Sequence, residues 1–195
     1  MRSPPALRTA LAITLALVPS ALRAAEPPCL TTAEFAALAG YALPSTIEAV
    51  TRRCSATLPA DAFLRTGADP LVARYAQARP VAWPGAKAAF IKLGTGADAG
   101  AGKLMLLLPD QTLQQVVDGA IQAKIADAMP VDRCGAANRL LQLLAPLPPE
   151  NTAELIALAV GLGVGADKAG APSTLASAGR LGKITVCPME MPRVH

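Results

Sequence analysis

The four cysteines, Cys29, Cys54, Cys134 and Cys187, are the residues of this chain with the most chemistry to offer. A dithiol redox centre needs close spacing such as C-x-x-C, which lowers the pKa of one thiol. A structural zinc site needs short-spaced cysteines, often with histidine. Cys29 and Cys54, the closest pair, stand 25 positions apart, and the only histidine is the terminal His195. Both readings fail on spacing. What remains is a framework of two disulfides, as expected of an exported chain. Four cysteines allow three connectivities. The stretch between Cys29 and Cys54 reads as two short antiparallel helices, whose outer ends would meet. That geometry pairs Cys29 with Cys54 and leaves Cys134 for Cys187.

Other stretches imitate catalytic or cofactor motifs. "GADAGAGK" ends in Gly102-Lys103 like a phosphate-binding loop, but Ala97 replaces the first glycine and Leu104 the hydroxyl that would hold Mg²⁺. That loop must also follow a strand, and here a helix is expected. "GLGVGADKAG" fails the dinucleotide fingerprint for the same reason. A nucleophilic triad needs a placed base, and His195 is on the tail. Among Asp61, Asp69, Asp110, Asp118, Asp127 and Asp132, several are explained as caps or solvated groups, and no pair stands out. No catalytic set, metal site or cofactor is therefore assigned.

The richest polar and aromatic cluster is Arg74, Tyr75, Arg79, Trp83 and Lys87. It is the candidate binding site, for an anion or a peptide. Its plainer reading is a core Trp and Tyr with basic side chains reaching to solvent. The surrounding "ADPLVARYAQARPVAWPGAKAAFIKL" follows the cysteine-bracketed hairpin. With Arg74-Tyr75, Trp83-Pro84, Ala86-Lys87 and "LAPLPPEN" at 144–151, it resembles a group of exported, cysteine-containing helical proteins of Gram-negative bacteria. The resemblance would cover most of the mature chain. It implies export and an all-helical fold, and no activity.

Residues 1–25 read as a signal peptide: Arg2 and Arg8 with no acid, the apolar "TALAITLALV", then small residues up to Ala25. The apolar run is too short for a spanning helix, which needs about 20 residues. The leader carries three of the 18 basic residues and none of the 14 acids, so 15 basic face 14 acidic residues in the mature chain. That near-neutral balance gives no support for nucleic-acid binding, which needs a clustered basic face, and no nucleic-acid partner is expected. No membrane span is expected after removal of the leader.

Local signals place the elements. Thr31 with Glu34, and Ser45 with Glu48, have capping-box spacing. They suggest helices over 32–40 and 46–57, with Glu48 and Arg52 paired at i,i+4. A short helix runs from Pro59 to Phe63. Another starts after Asp69 as N-cap and ends at Pro80. Pro84 opens a further helix that stops at Gly94. Residues 94–102 read as a flexible link, and "KLMLLL" as a short buried helix. Leu113, Val116, Val117, Ala120, Ile121 and Ile125 mark an amphipathic helix. A helix capped by Asp132 runs to Leu144, and one capped by Asn151 is apolar on nearly every side, hence central. All six aromatics lie at or before Phe90, which suggests two subclusters in the core.

These signals predict an all-α fold: an irregular bundle of six to eight helices over 26–164, two disulfides, and an extended tail over 165–195. The alternative is α+β, with 104–108 pairing to 183–187. The function expected first is a non-catalytic interaction or structural module, periplasmic or secreted. Its partner would be a periplasmic protein. A carrier of an apolar small molecule, lined by residues such as Leu141, Leu144, Ile156 and Val160, comes second, and an enzyme third.

Overall fold

The computed structural model describes residues 29–168 together with Val186 and Cys187. The expected leader, and the tail apart from 165–168 and these two residues, lie outside the described residues. Among the described residues seven α-helices follow one another: α1 Thr32–Cys54, α2 Phe63–Thr66, α3 Ala68–Ala97, α4 Ala99–Leu107, α5 Asp110–Ala128, α6 Cys134–Leu144 and α7 Pro149–Lys168. A 3-10 turn, Val131–Arg133, leads into α6. The fold is all-α, as expected. The α+β alternative is overturned: 104–107 belong to α4, and Val186 makes an isolated parallel bridge to Leu30 instead.

Helix α1 is the centre of the bundle and packs against α2, α3, α5, α6 and α7. It starts where the sequence says, with the Thr31 hydroxyl accepting from Glu34 N–H and the Glu34 carboxylate accepting from Thr31 N–H. The Glu48–Arg52 pair also forms, at 3.9 Å. The expected turn near Gly40 does not. One helix of 23 residues passes through Gly40 and Pro44. Proline in a helix interior costs about 3 kcal/mol, through one lost N–H and a clash with the carbonyl four residues back. Burial outweighs that cost, because Tyr41, Leu43, Ile47 and Val50 are all buried by neighbours from other helices. Ser45, read as a second cap, instead donates to Asp118 at 2.9 Å.

This continuity overturns the expected disulfide pairing. At about 1.5 Å per residue, α1 separates Cys29 from Cys54 by more than 30 Å, whereas a disulfide needs Cα atoms about 4.4–6.8 Å apart. Cys54 therefore joins Cys134 at the start of α6, with Cα atoms 5.4 Å apart. Cys29 joins Cys187 at 4.9 Å, beside the Cys187 N–H to Leu30 carbonyl bond. One bridge ties the far end of α1 to α6, and the other ties the two ends of the described fold together.

Helix α3 likewise runs through both Pro80 and Pro84, which were expected to break it. Both prolines are exposed, on the side where carbonyls freed from the ladder can be hydrated. The expected flexible link at 94–102 is a tight corner. Asp98 caps α4 by accepting from Ala101 N–H. A side chain on Gly102 would collide with Thr95, and one on Gly94 would meet the Met105 sulfur at 2.7 Å. These glycines serve close approach of α3 and α4. The helix over 104–107 is present but not buried: Leu104, Leu106 and Leu107 are 61, 61 and 80% exposed.

Smaller differences follow from packing. Asp69 lies in the first turn of α3, whose N-cap is Gly67. Asp132 sits in the 3-10 turn, and α6 has no side-chain cap. Helix α7 begins at Pro149, before Asn151, and continues past the expected boundary at 164 to Lys168. It is not central: Ala153, Ala157 and Val160 face inward, while Leu155 and Leu158 are exposed.

Among the described residues the core has three clusters rather than two. Tyr75 packs with Leu43, Ile47, Leu64 and Leu141; Phe35 with Leu30, Ala157, Val160 and Val186; Tyr41 and Trp83 with Leu113 and Val117. Each cluster seats aromatics of the first half against aliphatics of the second, so the two halves complement each other instead of segregating.

Candidate functional site

The candidate binding residues all lie on α3, and the structure places each of them in a contact between helices. Arg74 donates to the carbonyl of Ala145 after α6. The Tyr75 hydroxyl lies 2.9 Å from Thr152 Oγ1 on α7 and donates to the Leu144 carbonyl at 3.4 Å. Arg79 meets Asp118 of α5 at 2.5 Å. Trp83 Nε1 donates to Asp110 at 2.9 Å, and Lys87 reaches the other oxygen of the same carboxylate at 2.5 Å. Five residues further on, Lys92 bonds Glu34 of α1 at 2.8 Å. The spacing of four from Tyr75 through Arg79 and Trp83 to Lys87 keeps these residues on neighbouring faces of the helix, while Arg74 and Lys92 stand on other sides of it. The polar stripe and its two flanking residues thus clamp α3 to α6, α7, α5 and α1.

The middle of this stripe sets the half-buried Arg79 and Asp118 beside the buried Tyr41, Ser45 and Trp83. The Arg79 guanidinium lies 4.0 Å above the Tyr41 ring, and the Tyr41 and Trp83 rings sit 4.8 Å apart at 47°. Asp118 completes the group by accepting from both Arg79 and Ser45. Asp118 therefore balances the cation, and no net charge is left to attract an anion. The Tyr41 hydroxyl is buried with no hydrogen-bond partner among the described residues, and burial raises its pKa above the ordinary 10.0. Hydrogen bonds explain the carboxylates. Lys92 first, then Thr31, holds Glu34 below its usual 4.5 against the opposing effect of burial. Lys87 first, then Trp83, holds Asp110 below 3.8.

Two expected results follow from these contacts. Tyr75 is 1% exposed, so Tyr75→Phe leaves the Thr152 hydroxyl buried with only its bond to the Pro148 carbonyl. The loss should be about 1–2 kcal/mol in urea unfolding, the usual cost of a buried hydrogen-bond partner; an unchanged midpoint would show the pair to be idle. The second concerns acid. Glu34 and Asp110 both have depressed folded pKa values, so their stabilisation is complete above the ordinary carboxylate range near about 4. It is lost as pH falls below that range, through the folded values. The urea midpoint should stay level from neutral pH to about 5 and then drop. Glu34→Gln should lower the plateau and flatten the drop.

A different surface has the shape of a binding site. Between α1, α3 and α7 lies an open groove of about 370 Å³, with Ala36, Ala37, Gly40, Ala78, Ala82 and Ala153 forming a floor of small residues. Val81, 87% exposed, stands at one rim, and Glu150 and Glu154 at the other. A second depression of about 620 Å³ adjoins it, sharing Ala36 and Glu154 and adding Thr32, Ala33, Asn151, Leu155 and Leu158. Helices α1 and α7 run antiparallel beneath both, with Gly40 opposite Ala153 and Phe35 packed with Ala157 and Val160.

No family model, curated protein or solved structure matches the chain. The site is therefore read from its own geometry. The residues expected to line a carrier's cavity are placed otherwise. Leu141 and Val160 are buried in two different core clusters, Ile156 packs against both, and the Leu144 carbonyl faces Tyr75. None of the four lines either depression. Of the six aspartates considered for chemistry, Asp110 and Asp118 hold α5 to α3. Among the described residues, no group of three or more His, Cys, Asp or Glu is disposed to hold a metal ion. The one trace of the groove in the sequence is the series Ala33, Ala36, Ala37 and Gly40, at i, i+3, i+4 and i+7. The same spacing serves ordinary close packing of helices, so it did not single out a surface.

Proposed function

We propose that this protein is an exported interaction module, working in the periplasm or outside the cell, which docks a partner protein along the groove between α1, α3 and α7. One observation carries the reading: a continuous, open, apolar groove on a bundle whose core residues are closely packed. Two disulfides fit an oxidising compartment, and no helix among the described residues is long and apolar enough to cross a membrane. The polar stripe on α3 supports the same view, since its groups are engaged in holding helices together rather than aimed at a common point.

Native mass spectrometry of protein purified from the periplasm tests it. The expected spectrum is a chain shortened by its leader, lighter by the four hydrogens of two disulfides, and free of small-molecule adducts. An apolar adduct that survives native conditions and leaves on denaturation would replace this reading with the carrier.

A further inference from the structure

We infer that the groove receives a basic amphipathic helix, one whose apolar stripe is flanked by lysines or arginines one turn apart. The inference rests on the docking role proposed above and names the chemistry of the partner. Shape comes first. The two adjoining depressions follow α1 from Thr32 to Gly40 and α7 from Pro149 to Leu158. At about 1.5 Å per residue that is a trough roughly 13 Å long, enough for two to three turns of a third helix. It is open along its length, so it covers one face of an elongated ligand instead of enclosing a small one. Its walls are helices, whose main-chain hydrogen bonds run within each helix apart from the carbonyls freed by Pro44, Pro80 and Pro84 and the first-turn N–H groups of α7, so it offers no sheet edge for strand addition. A partner must satisfy its own backbone, and a helix does so. The alanine and glycine floor lets such a helix approach closely, while Val81, Leu155 and Leu158 supply apolar contact at its sides.

Charge selects among helices. Glu150 and Glu154 lie one turn apart on α7, both exposed and both at the groove. Among the described residues neither takes part in an ion pair, whereas Glu34, Glu48, Asp110 and Asp118 each do. Glu154 borders both depressions and so sits midway along the trough. Two carboxylates beside an apolar surface complement cations at i and i+4 on the incoming helix.

The test is selection of a display library of single-helix peptides on the intact, disulfide-bonded protein, with Ala36→Trp as the filled-groove control and thermal unfolding to confirm its fold. The expected enrichment is an apolar stripe flanked by Lys or Arg one turn apart. The enriched peptide should bind roughly three- to tenfold more weakly to the Glu150→Gln/Glu154→Gln double variant, and more weakly as salt rises. Enrichment of neutral or acidic helices that still need the open groove, or indifference to the double variant, would overturn the charge inference and leave the docking role standing. Enrichment that does not depend on the groove, or none at all, would overturn both. Should Ala36→Trp unfold, Glu154→Lys, at an exposed position, gives the charge result alone, and Ala33→Trp, at an exposed position lining the second depression, replaces the steric control.

Discussion

Replacing Cys54 and Cys134 together by alanine is expected to lower stability by on the order of 4 kcal/mol, read from urea unfolding. The bridge closes a loop across 80 positions, and the chain-entropy relation gives about that value for such a loop. Both cysteines are almost wholly buried, at 0 and 2% exposed, and alanine fills most of their space. The loss therefore reports the cross-link more than the packing. The same variant separates the two pairings. With Cys29 joined to Cys187, the denatured, unreduced variant should contain no free thiol. Had the hairpin pairing been correct, the substitution would break both bridges and release two thiols. Two thiols in the assay would refute the connectivity, and an unchanged urea midpoint would refute the claim that this staple stabilises the bundle.

Gly85→Leu should cost about 3 kcal/mol or more, the scale of overpacking at a tight contact. Gly85 lies inside α3, where helix propensity alone says that a larger residue should gain up to about 1 kcal/mol. The tertiary structure reverses the sign. A Cβ at position 85 would sit 2.7 Å from the Cβ of Ala37. Neither atom can turn aside, because each is fixed to a helix backbone. Helices α1 and α3 share the most extensive interface in the fold, so pushing them apart loosens contacts along much of their length. Gly85→Ala should be destabilising by a smaller amount, and Ala37→Gly should recover part of that loss. A Gly85→Ala protein more stable than the parent would show that the helices do not cross this closely.

The sequence by itself determined what depends on neighbours within a turn or two, and on composition. The Thr31–Glu34 box, the Glu48–Arg52 pair and the inward Leu113 and Val117 of α5 were legible because each is set by residues three or four apart, although Val116 and Ala120 of the expected α5 face are exposed. The all-α class followed from such local signals, and two disulfides followed from four cysteines without a redox or zinc spacing. The candidate binding residues were legible as a cluster, though not as clamps, since Thr152, Asp118 and Asp110 lie between 23 and 77 positions away from the residues they hold. Tertiary structure decided the rest. Pro44, Pro80 and Pro84 each carry a local cost that reads as a helix end, yet the burial that offsets it is summed over helices distant in sequence. Once Pro44 failed to end α1, the two cysteines flanking it were held at opposite ends of a rigid rod, and their partners had to come from elsewhere. The groove is the same kind of fact. Ala36, Ala82 and Ala153 are unremarkable in the chain and form one surface only because three long helices bring them together.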